Sequence, residues 1–421
     1  MTERQKVLLI GADTGEDEEF ETSMKELSGL AEACMMQVAG IITQKLETVN
    51  KALYIGSGKV AEARAFAQDV GAEAAVFDNA LSPSQMRNLQ KELDMPVMDR
   101  TSLILDIFSR RARTREAKLQ VETARLQYML PRLVGMHDSL GRQGGTSGNL
   151  SNKGAGEKKL ELDRRKIEHR IAELKKELEE VSTEKEIQRK KRVRSNVPRV
   201  CLVGYTNAGK STLMNGMVEA YIGDESKKVF EEDMLFATLE TYVRLISRGD
   251  NRDFFLSDTV GFIHKLPHGL IKAFRSTLDE VREADLLLHV VDFSDENYKR
   301  HIKVTEETLR EMGAGDIPVI YVYNKVDLCG PKIPAVSDNR IYMSAKSGDG
   351  IAELAERITQ ILYAENSTEQ YLIPYDKGNI LSYLLENGGV ISREYLENGV
   401  RLVVNCRQSD HERCKAYRVS S

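Results

Sequence analysis

Gly204-Tyr-Thr-Asn-Ala-Gly-Lys-Ser211 fits the pattern G-x-x-x-x-G-K-[ST] of a phosphate-binding loop, and this stretch decides the fold. A short apolar run, Val200-Cys-Leu-Val203, comes directly before it and is typical of a buried parallel strand. The residues after the loop open a predicted helix, so the loop joins a strand to a helix as the motif requires. The sequence therefore predicts an α/β domain that binds a nucleotide by its phosphates.

The residues of this loop have separate predicted roles. Gly204 and Gly209 let the backbone curl so that its N–H groups point at phosphate oxygens, and the helix N-terminus adds positive potential. Lys210 is expected to reach the β and γ phosphates, and the Ser211 hydroxyl is expected to bind Mg²⁺. The predicted nucleotide-binding residues of the loop are Gly204, Tyr205, Thr206, Asn207, Ala208, Gly209, Lys210, Ser211 and Thr212.

Two later stretches indicate which base is bound. Asn324-Lys-Val-Asp327 follows a strand-like apolar run, and an Asp at that place can accept two hydrogen bonds from guanine that adenine cannot offer. Ser344-Ala-Lys346 follows another strand-like run and can present a backbone N–H to guanine O6. The predicted guanine-binding residues are Asn324, Lys325, Asp327, Ser344, Ala345 and Lys346. The sequence thus predicts a GTP-binding domain.

Asp258-Thr-Val-Gly261 and Phe236-Ala-Thr238 complete the predicted site. Asp258 would hold Mg²⁺ through water, and the Gly261 amide would sense the γ-phosphate. The Thr238 hydroxyl would close over Mg²⁺ in the triphosphate state, with Phe236 and Ala237 beside the nucleotide. The predicted metal ligands are Ser211, Thr238 and Asp258, and the predicted catalytic residues are Lys210, Thr238 and Gly261.

Two residues bear on the rate of hydrolysis. Phe262 stands where many regulatory GTPases carry a glutamine that orients the attacking water, and a phenyl ring cannot do this by hydrogen bonding. We therefore expect slow intrinsic hydrolysis. In potassium-activated GTPases an Asn at the place of Asn207 helps to hold a monovalent cation against the phosphates. The alternative is a hydrogen bond that only stabilises the loop, and the sequence leaves both open.

Composition is that of a globular protein of two to four domains, with 421 residues of which 41% are hydrophobic and 30% charged. No apolar run approaches the length of a membrane span, and the N-terminus lacks the apolar segment of a signal peptide. The five cysteines are odd in number and have no metal-ligand spacing, so we expect reduced thiols in the cytoplasm.

The charge is unevenly distributed. Residues 100 to 196 carry 24 Lys and Arg against 14 Asp and Glu, a net charge of +10 in a chain whose total is −5. A basic block in an otherwise acidic chain is typical of a surface that binds a polyanion. Solvated helix faces are the alternative, but the basic clusters flank one loop, which favours contact with a polyanion.

This basic block reads as two helices around a loop. Apolar residues at 4-3-4 spacing predict one helix over 101–133 and a second with a seam over 167–181, packed as an antiparallel hairpin. A Gly-rich loop over 137–156 and a charged connector over 184–194 are predicted around the second helix. The predicted RNA-contacting residues are Arg110, Arg111, Arg113, Arg115, Lys118, Arg142, Arg164 and Arg165.

The remaining segments complete a four-part organisation. Residues 1–100 alternate strands and helices as a small α/β unit, 101–196 form the hairpin, 197–364 the nucleotide domain and 365–421 a small α+β unit. In the first part, Ser82 and Pro83 read as a helix start. Gly56-Ser-Gly-Lys59 lacks the full phosphate-loop pattern, so it is either a plain strand-to-helix turn or an anion site. The last part is a docking module or a structural cap.

Over its whole length the chain resembles the HflX GTPases, a ribosome-associated family of the translation-factor-related class. The stretches that carry the resemblance are Gly56-Ser-Gly-Lys-Val60, Leu81-Ser-Pro-Ser-Gln85, Leu105-Asp-Ile-Phe-Ser-Arg-Arg-Ala-Arg-Thr-Arg115, Leu160-Glu-Leu-Asp-Arg-Arg165, Phe236-Ala-Thr238 and Asp258-Thr-Val-Gly-Phe262. One departure concerns the loop tip, where the family's run ending like Gly-Pro-Gly-Glu-Thr is replaced by Ser151-Asn-Lys-Gly-Ala-Gly-Glu-Lys158.

The resemblance implies a Mg²⁺-dependent GTPase that binds the large ribosomal subunit through its RNA. It also implies that the GTP state splits stalled or idle ribosomes under stress, that hydrolysis to GDP allows release, and that the N-terminal region binds ATP. We expect a monomer when free, cytoplasmic and partly associated with ribosomes or a membrane surface. The alternatives are an assembly or anti-association factor without splitting activity, and a signalling switch with a protein partner.

Overall fold

The computed structural model describes residues 4–15, 20–135, 151–194, 197–224, 226, 228–229, 235–236, 241–249, 252–265, 275–329, 334–406 and 408–419. Three predicted site residues, Arg142, Ala237 and Thr238, lie outside these ranges. The chain divides into two compact units, each discontinuous in sequence. The first comprises Met1–Arg189, Glu232–Glu240 and Ile263–Ser276, and the second comprises Lys190–Glu231, Thr241–Phe262 and Thr277–Ser421.

The first unit begins with the predicted small α/β fold. Its four strands pair in parallel in the order β2-β1-β3-β4, which places the carboxyl ends of all four at one edge. The strands are β1 (Lys6–Asp13), β2 (Gln37–Lys45), β3 (Ala74–Phe77) and β4 (Val97–Asp99). The helices between them are α1 (Phe20–Ala33), α2 (Ser57–Val70) and α3 (Pro83–Leu93).

The predicted start of α3 is confirmed in detail. The Ser82 hydroxyl accepts a hydrogen bond from the Gln85 N–H at 3.2 Å, and the Gln85 side chain accepts one from the Ser82 N–H at 2.9 Å. This reciprocal cap satisfies two N–H groups that the first helical turn leaves without partners. Pro83 at the first position already has the backbone angle that the helix needs.

The prediction of one helix over 101–133 is wrong, because the chain bends there. Helix α4 (Arg100–Arg111) ends at Ala112, which is extended, and α5 (Arg115–Met129) begins after Thr114. The Thr114 hydroxyl accepts a hydrogen bond from the Ala117 N–H at 3.2 Å and so starts a new helix. A 3₁₀ turn over Leu130–Gly135 follows α5. Apolar spacing alone did not reveal this N-cap.

The boundaries predicted for the second helix are also wrong. Helix α6 runs over Ser151–Arg194, so the last six residues of the predicted loop and the whole predicted connector are helical. The connector is rich in Glu, Lys, Arg and Gln, which are good helix formers, and it contains no Gly or Pro. Charge alone was therefore a poor reason to expect a non-helical linker.

The antiparallel hairpin itself is confirmed. Arg115 near the start of α5 pairs with Glu177 at 3.5 Å, and Glu122 one heptad later pairs with Arg170 at 3.0 Å. As the residue numbers rise along α5, those of their partners fall along α6, as antiparallel packing requires. Leu174 between these contacts is fully buried, and burying a leucine contributes about 1.5–3 kcal/mol.

The second unit contains a seven-stranded sheet in the order β10-β11-β9-β8-β5-β7-β6. Strands β11, β9, β8, β5 and β7 are parallel, whereas β6 and β10 run antiparallel at the edges. The strands are β5 (Arg199–Val203), β6 (Tyr242–Ile246), β7 (Phe254–Asp258), β8 (Leu286–Asp292), β9 (Val319–Asn324), β10 (Ala335–Ser337) and β11 (Arg340–Tyr342). The helices are α7 (Lys210–Tyr221), α8 (Arg275–Arg282), α9 (Tyr298–Glu311) and α10 (Ile351–Leu362), with a 3₁₀ turn at Val326–Leu328. This is the predicted α/β nucleotide-binding fold with a mostly parallel sheet.

The tail folds as the predicted α+β element. Strands β12 (Ser367–Ile373), β13 (Gly389–Leu396) and β14 (Gly399–Cys406) form an antiparallel sheet in the order β12-β14-β13. Helix α11 (Gly378–Asn387) precedes the β13–β14 hairpin, and α12 (Gln408–Cys414) follows it. In the part of the chain that the structure describes, no helix combines the length and the apolar character that crossing a membrane would need.

Candidate functional site: a nucleotide pocket at the end of the large sheet

The phosphate-binding loop leaves β5 at the carboxyl edge of the parallel sheet. Gly204 has φ +142°, and a Cβ there would lie 2.2 Å from the Val290 carbonyl oxygen. Gly209 has φ +91°, and a Cβ there would lie 2.2 Å from the Asn324 side-chain nitrogen. Both glycines are therefore required by the backbone and by the lack of space. They hold the loop on the ends of β8 and β9.

Lys210 lies inside this loop. Its ammonium group donates to the carbonyl oxygens of Gly204 at 3.1 Å and Tyr205 at 2.8 Å, and the residue is buried. Burial lowers the pKa of Lys210 to about 8, and the nearby Asp258 carboxylate works against that shift. An anionic phosphate would stabilise the charged form of such a buried cation. This position agrees with the role that the sequence predicts for Lys210.

The Ser211 hydroxyl and the Asp258 carboxylate lie together at the predicted metal site. Ser211 Oγ donates to Asp258 Oδ2 at 2.7 Å. Asp258 is fully buried, and its Oδ1 has no hydrogen-bond partner within the described part of the chain. Burial raises the pKa of this carboxyl to about 6, although its hydrogen bond with Ser211 opposes the shift.

These groups fit Mg²⁺, which prefers oxygen ligands and is usually held by one or two carboxylates together with phosphates and water. The unpartnered Oδ1 is the kind of buried polar atom that a bound ion or its water would satisfy. Ser211 and Asp258 would hold the metal, which would supply positive charge against the phosphates. The structure does not describe Thr238, the third predicted ligand.

The segment after Asp258 is attached directly to the phosphate loop. Phe262 donates its N–H to the Gly204 carbonyl at 3.1 Å and accepts from the Thr206 N–H at 2.8 Å. A Cβ at Gly261 would lie 2.6 Å from Thr206 Cα and 2.9 Å from Lys210 Nζ, so only glycine fits so close to the loop. Gly261 thus lies next to the ammonium group that is predicted to bind the terminal phosphates, where its amide could respond to a γ-phosphate.

Asn324 links the two base-side loops to the phosphate loop. Its side-chain nitrogen donates to the Ala208 carbonyl at 2.9 Å, and its side-chain oxygen accepts from the Ala345 N–H at 2.8 Å. Because both ends of the buried amide are used within the protein, Asn324 supports the pocket's shape. The sequence predicts that Asn324 belongs to the site, but it does not reveal this structural task.

Asp327, by contrast, remains exposed at the rim. The buried Ser344 hydroxyl accepts from the Ser347 N–H at 3.3 Å and orders the turn that contains Ala345 and Lys346. The structure brings these predicted guanine-binding residues to one edge of the sheet. An exposed carboxylate beside an ordered turn is suited to reading the hydrogen-bonding edge of a base.

Asp292, which sequence reasoning missed, lies in the same place. The Lys325 ammonium pairs with Asp292 Oδ2 at 2.7 Å, and Lys325 has φ +60°, an uncommon backbone angle for a residue with a Cβ. The ion pair therefore helps to fix the strained turn before Asp327. The available signal was the position of Asp292 directly after the largely apolar run 286–291, which forms β8 beside β9.

His301 is a second residue that the sequence did not indicate. The Tyr205 ring of the phosphate loop stacks on the imidazole of His301 in α9, with ring centroids 3.9 Å apart. Asn207, two residues further on, has φ +61° and is half-buried. The loop between the two glycines is thus held by side-chain packing as well as by hydrogen bonds.

The predicted RNA-contacting residues divide into two groups. Arg110, Arg113 and Lys118 are exposed around the bend between α4 and α5, and Arg111 is half-buried there. On α6, Arg164 pairs with Glu168 at 2.9 Å and Arg165 with Glu161 at 3.1 Å. The first group is therefore gathered at the bend between two helices, whereas the two arginines of the second group pair with glutamates of their own helix.

Comparisons with known proteins indicate the family of this chain. Residues 199–325 match the family model described as 50S ribosome-binding GTPase, residues 21–109 match GTP-binding GTPase N-terminal, and residues 111–192 match GTP-binding GTPase Middle Region. The chain is 42% identical to GTPase HflX of Caldanaerobacter subterraneus subsp. tengcongensis over 99% of its length and 95% of that protein. It is 38% identical to GTPase HflX of Escherichia coli K12 over 93% and 91% of the two chains.

Among solved structures, one match is a GTP-binding protein from Sulfolobus solfataricus in complex with GDP. It is 24% identical, covers 85% of this chain and 98% of its own, and has a TM-score of 0.43. The predicted family resemblance is confirmed by the sequence relatives, whose identity extends through both units. The chain belongs to the HflX family of GTPases.

Proposed function

We propose that this GTPase binds the large ribosomal subunit and, in its GTP-bound state, dissociates stalled or idle ribosomes into subunits. Hydrolysis of GTP to GDP and phosphate then allows release. The family match to ribosome-binding GTPases supports ribosome contact, and the chemistry of the Lys210, Ser211 and Asp258 cluster supports Mg²⁺-dependent hydrolysis. The five cysteines are free thiols, which is consistent with a protein that functions in a reducing cytoplasm.

The feature that best supports contact with the ribosome is the hairpin of α5 and α6. Its apolar seam is used internally by the packing of α5 on α6, whereas Arg110, Arg113 and Lys118 face solvent. Cations grouped at one bend gain most from a surface of closely spaced phosphates, because binding releases the counterions of the RNA. Ribosomal RNA is such a surface, and much of its recognition depends on shape and phosphates.

The nucleotide would control this contact through the segments that end in Thr238 and Gly261. A γ-phosphate with its Mg²⁺ orders such segments, and their release after hydrolysis changes the affinity for a partner. Because Phe262 cannot orient water by hydrogen bonding, the intrinsic rate should be slow. The ribosome would then accelerate the reaction by ordering the water or offsetting the developing charge.

The test is a splitting assay with purified whole ribosomes. We expect free subunits to increase on sucrose gradients when the protein is added with a non-hydrolysable GTP analogue, and not when it is added with GDP. If the protein binds large subunits but whole ribosomes stay intact, the splitting proposal is wrong and an assembly or anti-association role is favoured. If it binds no ribosomal particle at all, a signalling role with a protein partner is favoured.

A charge-matched pair of variants makes this test specific. Arg113→Glu with Lys118→Glu should abolish splitting, because it reverses two charges at the bend. Lys51→Glu with Lys91→Glu changes the net charge equally at exposed sites on other elements and should split normally. Equal behaviour of the two variants would remove the hairpin from the contact.

Potassium and ATP are further proposed ligands. A monovalent cation beside Asn207 predicts faster hydrolysis in KCl than in NaCl, and equal rates would leave Asn207 a purely structural role.

For ATP, the structure favours reading Gly56-Ser-Gly-Lys59 as a plain strand-to-helix turn over an anion site. Lys59 pairs with Glu62 at 2.7 Å, and the Gly56 N–H donates to the Gln44 side chain at 2.8 Å. ATP binding that survives Lys59→Met would exclude that turn as its site.

A further inference from the structure

The phosphate loop combines uncommon backbone angles over a short stretch. Asn207 has φ +61°, and the glycines at the two ends of the loop, Gly204 and Gly209, have φ +142° and +91°. A residue with a Cβ seldom adopts such an angle unless its surroundings hold it there. The shape of this loop in the absence of a nucleotide therefore depends on contacts with other elements.

The backbone of Tyr205 joins separate parts of the loop. Its carbonyl oxygen accepts from the Lys210 ammonium at 2.8 Å and from the Ala208 N–H at 3.3 Å. The next residue, Thr206, donates its N–H to the Phe262 carbonyl at 2.8 Å. The position of Tyr205 therefore affects the ammonium group that is predicted to meet the phosphates, and the segment that contains Phe262.

The ring of Tyr205 is held from outside the loop. It stacks on the imidazole of His301, with centroids 3.9 Å apart and 11° between the ring planes, and only 8% of Tyr205 is exposed. Because the two rings meet face to face, the contact restrains the tilt of the Tyr205 ring as well as its position. Both residues belong to the second unit, as do the other residues of the loop.

His301 is itself fixed near the start of α9. Its backbone N–H donates to the Asn297 carbonyl at 3.2 Å, and its Nδ1 lies 3.8 Å from Asp295 Oδ2. The other Asp295 oxygen accepts from the Asn297 N–H at 2.8 Å. The His301 side chain is only 14% exposed. A side chain held in this way on a helix is a more precise support for a neighbouring loop than one on another loop would be.

The base side of the pocket has a support of its own. Asp292, at the end of β8, accepts from the Ser294 N–H at 3.0 Å and pairs with the Lys325 ammonium at 2.7 Å. This pair holds the turn after β9 and does not include His301. A change at His301 that removes the stack therefore leaves the support of the base-side turn in place.

We propose that His301 is a positioning residue that preorganises the phosphate loop for a guanine nucleotide, an inference that rests on the proposed function. Its ring fixes Tyr205, and Tyr205 supplies the carbonyl oxygen that holds Lys210 in the loop. Without the stack, the phosphates must order the loop when they bind, so the affinity for a nucleotide falls. The loss is confined to the phosphate end of the ligand, because the base-side turn is supported separately.

The experiment compares GDP and guanosine as competitors of a fluorescent guanine nucleotide, in the wild-type protein, His301→Leu, His301→Phe and the control Lys303→Met. Lys303 is an exposed residue of the same helix. We expect His301→Leu to weaken GDP binding about three- to tenfold, as loss of an aromatic contact predicts, with guanosine binding within about twofold of wild type. His301→Phe keeps a flat ring and should restore most of the GDP affinity, and Lys303→Met should match wild type.

The reciprocal change tests the contact itself. Tyr205→Leu should weaken GDP binding by a similar factor, and adding it to His301→Leu should cause little further loss, because both changes remove one contact. Single-turnover hydrolysis at saturating GTP should stay within about threefold of wild type in His301→Leu, since bound phosphates then order the loop. This split between affinity and rate distinguishes a preorganising residue from one that takes part in the reaction.

The outcomes separate this inference from the proposed function. Wild-type GDP affinity in His301→Leu overturns the positioning role alone. Equal losses of GDP and guanosine affinity also overturn it, since they indicate general damage to the pocket, and so does a His301→Phe variant as weak as His301→Leu. A wild-type protein that binds GDP but hydrolyses no GTP, with or without ribosomes, refutes the proposed hydrolysis, whereas the variants still decide the positioning role. Absence of GDP binding in the wild-type protein overturns both.

Discussion

Asp99 and Asp258 occupy similar places in the two sheets of this protein, and they are used differently. Both end a parallel strand at the carboxyl edge of a sheet, and neither is exposed to solvent. Asp99 accepts hydrogen bonds from the Leu81 N–H at 3.0 Å, the Ser102 N–H at 2.8 Å and the Tyr128 hydroxyl at 2.5 Å. Asp258 accepts from Ser211 and keeps one oxygen without a partner in the described part of the chain.

The difference shows how one architecture serves two purposes. At the edge of the small sheet, the buried charges are paired within the protein, so the edge joins the sheet to the helical hairpin. At the edge of the large sheet, glycines leave space for a ligand, and an incompletely satisfied carboxylate can interact with it. A binding site is therefore marked by the polar groups that the fold leaves unsatisfied as well as by those that it gathers.

The largest expected effect concerns base selection at the rim of the large sheet. Asp327→Asn replaces two acceptor positions for guanine by an amide, which can donate to the second carbonyl of xanthine. We expect the preference for GDP over XDP to fall by about 10⁴-fold, since mismatched polar groups in such sites are costly. Competition between the two nucleotides for the purified protein measures this. An unchanged preference would mean that Asp327 does not read the base.

The next effect contrasts the two aspartates directly. Asp258→Asn should lower Mg²⁺-dependent GTP hydrolysis by about 10²–10³-fold, because a preorganised charge at the metal is lost. Stability of the nucleotide-free protein should change by less than about 1 kcal/mol, since an amide avoids the cost of burying an incompletely paired charge. Urea unfolding without nucleotide and turnover at saturating Mg²⁺ are the two measurements. A large loss of stability with normal turnover would mean that Asp258 is a structural residue and does not hold the metal.

The counterpart at the small sheet should behave in the opposite way. Asp99→Asn places an amide N–H against donors such as the Leu81 N–H, so we expect a loss of about 2–3 kcal/mol in the free energy of unfolding. GDP affinity of the folded protein should stay within about twofold, since the residue has no part in the pocket. Urea titration followed by circular dichroism reports the first value. Weakened GDP binding without lost stability would contradict the contrast.

The sequence was most informative where function depends on local pattern. The phosphate loop, Asp258-Thr-Val-Gly261 and Asn324-Lys-Val-Asp327 each follow a buried strand, so their convergence at one edge follows from the rules of parallel sheets. The cap at Ser82 was equally local. The bend at Ala112 and the full length of α6 were missed because apolar spacing and charge do not determine where a helix starts or ends.

Long-range contacts could not be read from the sequence. Asn324 looked like a base-contacting residue, but its amide joins Ala208 to Ala345, and Asp292 was not noticed at all. Lys265 belongs to no motif, yet its partner Asp78 lies 187 positions away in the chain. Such pairs depend on tertiary structure, so no periodicity or spacing in one sequence reports them.

The most direct test of the whole account is GTP turnover with and without purified large ribosomal subunits, in the wild-type protein and in Arg113→Glu with Lys118→Glu. We expect slow turnover in the protein alone. Large subunits should raise the rate by about tenfold or more, because they would supply charge that stabilises the transition state. This stimulation should be lost as the salt concentration rises. The double variant should keep the basal rate and lose the stimulation. Equal stimulation of the two proteins, or none in wild type, would contradict the claim that the hairpin links RNA contact to hydrolysis.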